Sequence, residues 1–215
     1  MNNSVYSRMH RIIAFASITK LASFLKVSII FGAYTAGFSA LNCIMPLSGA
    51  FCGIGGSSLV ALIGLAFRLI LRGSVPLHFA AYHIPGLFGA YYWGSHSVFI
   101  RVLVPLACMA LFIAHPVGSG AWIYAMYWLI PVALYFMKKS TFNTALGSTF
   151  VVHAVGSVIW LYTRDTSVLL WHSLLPIVLL ERMAFAIGMV LMHRIMNFLF
   201  SYQIKSQPKV IVHTV

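Results

Sequence analysis

The chain has 215 residues, 61% of them hydrophobic and 7% charged, with a mean hydropathy of +0.94. Soluble globular domains carry about 25% charged residues, so this chain lacks the polar side chains to cover a water-facing surface. Fourteen Lys and Arg stand against two acids, a formal +12, but they are scattered singly or in pairs at the ends of apolar runs. That pattern fits membrane topology and argues against nucleic acid as a partner.

The composition therefore describes an all-α integral membrane protein, a single bundle of about six transmembrane helices. Its expected parts are an amphipathic N-terminal segment over 1–26, a polytopic helical domain over 27–200 and a polar tail over 201–215. In the first part, Arg8 and Arg11 precede an apolar run broken by Lys20, which lacks the clean core and cleavage site of a secretory signal. Ile18, Leu21 and Leu25 share one helical face with Ser17 and Lys20 off it, as in a helix lying at the inner interface.

No charge occurs between Lys26 and Arg68. That stretch is too long for one crossing of about 20 residues and right for two. The break falls at Pro46-Leu-Ser-Gly and the following Cys52-Gly-Ile-Gly-Gly-Ser-Ser, where Gly and Ser loosen a helix. A helical hairpin follows, with crossings over 27–45 and 51–71. In its first arm Gly32, Ala36 and Ala40 repeat every four residues, a small-residue stripe that admits a partner helix closely.

The segment 76–94 is apolar but carries His78, His83, Pro85 and the cluster Tyr91-Tyr92-Trp93. It is either re-entrant at the inner face or a seventh crossing. Four clearer crossings follow over 98–116, 120–137, 142–162 and 171–199. With 76–94 re-entrant, Arg8, Arg11, Lys20, Lys26, Arg72, Arg101, Lys138, Lys139, Lys205 and Lys209 all fall inside and Arg164 outside. The positive-inside rule thus prefers six crossings in the cell (inner) membrane with both termini cytoplasmic. Pro105, Pro131 and Pro176 sit within crossings and free the carbonyls of Arg101, Tyr127 and His172.

The two carboxylates, Asp165 and Glu181, are too few for two-metal or paired-carboxylate chemistry. Glu181 lies mid-way along the last crossing, where a carboxylate must face the bundle interior and find a partner. Arg182 is adjacent but points about 100° away along a helix, so His153 in the preceding crossing is the expected partner. This pair either lines a ligand pocket or pins two helices together. Nearer the outer face, His115, Trp122, Trp160, Arg164, Trp171 and His172, with Tyr162 and Asp165 beside them, form an aromatic and polar group. Such a group suits a flat, polar small molecule or forms an ordinary interfacial belt. Glu181, His153, His115, Trp122, Trp160, Arg164, Trp171 and His172 are the candidate substrate-binding set. Of nine histidines, only His153 has the depth that bis-His haem ligation needs; no metal or other cofactor is expected. Cys43, Cys52 and Cys108 form no Cys-x-x-Cys pair.

Ala36-Gly-Phe-Ser-Ala40 in the first crossing, with Gly32 above it and the Pro-turn-Gly-rich hairpin after it, resembles the S components of energy-coupling-factor vitamin transporters. The resemblance implies six membrane helices and a non-covalent, substrate-binding role without catalysis. It further implies that Ala36 and Ala40 dock on a membrane-embedded coupling subunit, with two ATPase subunits supplying energy. Substrate would enter from outside, under a cap near Pro46–Gly56. Two other readings stay open: an accessory membrane subunit without ligand, and a membrane enzyme using Glu181 and His153 on a lipid-like substrate.

Overall fold

In the computed structural model the described residues are 3–25, 40–74 and 77–205. They are helical throughout, without a strand. Helix α1 covers Asn3–Ala22, α2 Leu41–Arg72 and α3 Leu77–Gly94. A π-turn, Phe99–Leu103, leads into α4, Val104–Ala114. Then come α5, Pro116–Gly120, α6, Trp122–Ala125, a 3₁₀ turn at Met126–Trp128 and α7, Leu129–Phe136. Helices α8, Thr141–Thr163, and α9, Val168–Lys205, complete the chain. Gly32 and Ala36, most of the expected first crossing, and the tail from 206 onwards lie outside the described residues. Ala40, half-buried, donates its backbone N–H to the Leu25 carbonyl.

Three helices are long and apolar enough to cross a bilayer: Leu41–Arg72, Thr141–Thr163 and Val168–Ser201. Two shorter apolar stretches are Phe99–Ala114 and Trp122–Phe136. Large apolar side chains such as Leu62, Ile70, Leu180, Leu191 and Phe198 point outward. Water would penalise so much exposed hydrocarbon, whereas lipid tails would not.

The hairpin is present, and its turn is Gly53, at φ 70° and ψ −179° within α2. Only glycine adopts that backbone without steric cost. Contacts with α3 reveal the reversal. Before Gly53 the register rises, with Met45 against Gly86, Pro46 against Gly89 and Gly49 against Ala90. After it the register falls, with Ile54 against Gly94 and the Ser58 hydroxyl 2.8 Å from that of Tyr91. Pro46 itself stays inside the first arm, which begins at Leu41.

Helix α1 runs lengthwise beside the second arm: Ile12 meets Gly56, and the Lys20 ammonium lies 5.2 Å from the Phe67 ring. Its buried face is Ile12, Phe15, Thr19 and Ala22, while Leu21 and Leu25 of the expected face point outward. The segment 76–94 is one helix from Leu77 to Gly94, packed between α2 and α8. Its docking on α8 is seen in the Ser148 hydroxyl bond to the Gly89 carbonyl at 3.1 Å. No reversal of the kind a re-entrant segment needs occurs among its described residues.

Two apolar cores result. One gathers α1, α2 and the C-terminal half of α9 around Phe15, Leu47 and Met189. The other joins α3 to α9 around Tyr92, Phe112, Trp128, Phe150 and Trp171. Pro105 follows the π-turn, where the Val104 N–H bonds back five residues to the Phe99 carbonyl. The 3₁₀ turn at Met126–Trp128 stands similarly before Pro131. Both prolines thus coincide with a local change of helix register, as their missing N–H demands.

Arg101 is buried; it donates to the Tyr92 carbonyl at 2.8 Å and stacks 4.1 Å from the Tyr92 ring centroid. Both described ends of the chain lie at the Gly53 end of the bundle, since Phe200 of α9 packs on Phe15 of α1 and on Phe51.

A Cβ at Gly49 would overlap the Ala90 carbonyl, whereas one at Gly55 meets nothing within 4 Å. Gly49→Ala is expected to cost about 1–3 kcal/mol or more. Gly55→Ala should be neutral or stabilise by up to about 1 kcal/mol. Unfolding in detergent followed by circular dichroism measures both.

Candidate functional site

A cavity of about 1820 Å³ lies between the two cores, opening at the end opposite Gly53. Helices α1, α2, α8 and α9 supply most of its lining in stripes at helical spacing, with Leu41 and Met45 from the first arm of α2, His83 and Pro85 from α3 and Tyr124 from α6 beside them. From α1 come Ala16, Thr19 and Lys20, with Ser23 just after it; from α2, Val60, Gly64, Arg68 and Arg72. From α8 come His153, Ser157 and Trp160, and from α9 Leu174, Val178, Glu181 and Arg182. Residues three or four apart share a face, so each helix shows the cavity one side and hydrocarbon another. His115 and Val117 at the start of α5, and Tyr162 to Thr166 at the end of α8 and just beyond it, form part of the rim.

At depth, Glu181 and Arg182 are 3% and 1% exposed, and the Arg182 guanidinium donates to the Glu181 carboxylate at 2.7 Å. This corrects the expectation that neighbours on a helix would not pair. The Cα–Cβ bonds do diverge, but the Arg side chain is long enough to turn its head back onto the carboxylate. In a poorly polarisable surrounding the attraction at that distance far outweighs the lost rotamer freedom. The same guanidinium lies 4.7 Å from the Phe185 ring centroid.

His153 is not the partner of Glu181, although both line the cavity. The Trp128 indole N–H donates to its Nδ1 at 3.2 Å, and its Nε2 stands 2.8 Å from the Tyr124 hydroxyl. An indole N–H only donates, so Nδ1 accepts and the imidazole proton sits on Nε2, directed at the Tyr124 oxygen. Both ring nitrogens are engaged, which leaves neither to take a proton from a substrate. The enzyme reading thereby loses its expected base.

Tyr124 and Trp128 belong to an aromatic wall. Phe112 packs edge-on to Trp128 at 5.3 Å and to Trp171 at 4.9 Å, and Trp160 meets Trp171 at 5.2 Å.

Of the candidate set, Glu181, His153, His115, Trp160 and Arg164 line the cavity. Trp171 is fully buried in the wall behind it, Trp122 is half exposed, and neither lines the cavity. His172 does not line it either; its Nε2 lies 3.2 Å from the Gly120 carbonyl, tying the first turns of α9 to α5. His115 accepts the Val117 N–H at Nδ1 and packs on Tyr162 at 5.0 Å. The outer group is thus brought to one end of the bundle, as the sequence implies.

Two corrections concern what surrounds that end. None of Pro46 to Gly56 lines the cavity, because that stretch ends in the Gly53 turn at the far end. Lys20 and Arg72, expected at the face that bears Arg8 and Lys138, stand instead at the mouth with Arg164. The lengthwise run of α1 carries Lys20 there. Sequence reading also missed Tyr124, Arg68 and the place of Lys20 at the mouth, whereas His115, Tyr162, Arg164 and Asp165 of the expected outer group do line it.

Among the described residues no three His, Cys, Asp or Glu side chains come together in a way that could hold a metal ion. No protein-family model, curated protein or solved structure matches the chain.

Removing one partner of a buried ion pair strands the other. Glu181→Gln is expected to cost about 3–5 kcal/mol. The double variant Glu181→Gln with Arg182→Met should recover most of that loss. Unfolding midpoints of the three proteins in one detergent provide the comparison.

Proposed function

We propose that this chain is the membrane-embedded, small-molecule-binding subunit of a transporter. In this role it resembles an S component that works with a separate coupling subunit and ATPase pair. The observation that carries the reading is the cavity itself, about 1820 Å³, open at one end, with a buried Glu181–Arg182 pair in its depth. Small-molecule sites occupy about 300–1,000 Å³, are lined mainly by apolar and aromatic groups and contain a few fixed polar ones. The stripes of α1, α2, α8 and α9 supply such a lining with room to spare. Binding is non-covalent on this reading, and the aromatic wall holds Tyr124 and His153 rigid at its edge.

The same reading sets the topology. The Gly53 end bears Arg8, Arg11, Arg101, Lys138, Lys139 and Arg194, and the mouth bears Lys20, Arg68, Arg72 and Arg164. On this reading the excess favours the Gly53 end, with both described ends of the chain, on the cytoplasmic side and the mouth outside. Gly32, Ala36 and Ala40 remain the proposed contact with the coupling subunit.

Two experiments test the proposal. Mass spectrometry of the gently solubilised protein should recover a retained small molecule. Gly64→Phe, which fills the cavity at a position where a Cβ meets nothing within 4 Å, should abolish its retention without loss of fold. Recovery of a protein partner alone, with no small molecule in either protein, would instead support an accessory membrane subunit. Separately, Ala36→Leu with Ala40→Leu should prevent co-purification of the coupling subunit; unchanged assembly removes the stripe from the proposal.

A further inference from the structure

We propose that the cavity selects an organic anion, a small molecule with an apolar or aromatic body and a carboxylate or phosphate group. The inference deepens the solute-binding reading and rests on it. Both acids of the chain, Asp165 and Glu181, line this one cavity together with Lys20, Arg68, Arg72, Arg164 and Arg182. Two acids face five cations there, and the sequence holds no further acid anywhere to balance the remainder.

The imbalance is not spread evenly. In the depth, Glu181 and Arg182 neutralise each other at 2.7 Å. The excess of three positive charges therefore stands at the mouth, where Asp165 is the single acid beside Lys20, Arg68, Arg72 and Arg164. Lys20 is fixed there: its ammonium lies 5.2 Å from the ring centroids of both Phe24 and Phe67. Aromatic faces hold a cation without cancelling its charge. A mouth of one sign with low-dielectric walls concentrates ions of the opposite sign. Cations on Lys and Arg bind carboxylate and phosphate oxygens through charge-assisted hydrogen bonds. Below the charged rim, Trp160 and Tyr124 line the cavity and offer aromatic surface for the body of the ligand. An anionic lipid headgroup would bring the same acid group to the same cations, so the test separates the two sources.

The test uses the full chain in nanodiscs of phosphatidylcholine and three probes with one indole body: indole-3-acetate, tryptamine and indole-3-ethanol. Calorimetric titration should show indole-3-acetate binding at least about tenfold more tightly than tryptamine. Arg72→Gln, at an exposed rim position, should reduce that preference severalfold, and Lys20→Gln should do the same independently. Equal binding of the three probes, or tighter tryptamine, overturns the anion inference and leaves the solute-binding reading standing. If no probe binds, the molecule retained by the purified protein decides: an acid group supports the inference, and its lack overturns it. If no probe binds and nothing is retained, the solute-binding reading falls and the inference with it. In the lipid arm, phosphatidylglycerol is added to the nanodiscs. One-to-one retention of phosphatidylglycerol with no indole-3-acetate binding supports the anion chemistry and overturns the solute reading.

Discussion

A charged side chain surrounded by hydrocarbon is costly enough that it must be paired, wetted or removed. This chain keeps two acids, and both line the same cavity. The Glu181–Arg182 pair is the interaction on which the interior arrangement turns. Through it α9 directs a carboxylate and a guanidinium inward at one level, while Leu180 and Met183 on either side point outward. A long helix that must present charge to one side and hydrocarbon to the other is fixed in rotation about its axis.

Around that pair the molecule has a stiff half and an open seam. The stiff half is the aromatic wall of Phe112, Tyr124, Trp128 and Trp171, whose polar atoms are satisfied from within: His153 takes the Trp128 N–H and meets the Tyr124 hydroxyl. Edge-to-face rings of this kind pack densely and resist rearrangement. The seam lies where α1 and α2 meet α8 and α9, each showing one stripe to the space between. Its walls come from separate apolar cores, so the cavity is bounded by two bodies of packing and not drilled through one. That arrangement suits a site which receives and releases a ligand.

Much of this was legible in the chain. Uncharged runs of bilayer length marked the helices of α2 and α8, and an apolar run interrupted mid-way only by Glu181-Arg182 marked α9, because lipid tolerates charge poorly. The Gly-rich break located the hairpin turn, since only glycine reaches the backbone angles that Gly53 adopts. The gathering of His115, Tyr162, Arg164 and His172 at one end followed from counting helix lengths. What did not follow was set by tertiary packing. The buried face of α1 includes Thr19 and excludes Leu21, an order no hydrophobic period would choose in a chain whose outer surface is itself apolar. Lipid reverses the usual cue: outward faces are as greasy as inward ones. For the same reason Trp171, buried in the wall, and Trp122, exposed beside it, read alike in sequence. The Glu181–Arg182 pair was missed because helical spacing rules describe where side chains start, not where a long one ends.

The account depends on α9 having hydrocarbon on one side and a water-accessible cavity on the other. Nitroxide labels at Leu180→Cys and Gly64→Cys, in a background without the native cysteines, measure this directly by power-saturation spectroscopy in proteoliposomes. Leu180 should be relaxed by oxygen and shielded from a water-soluble nickel chelate, while Gly64 should show the reverse. Equal exposure of both labels to the nickel chelate would contradict the account, because α9 would then face water on both sides.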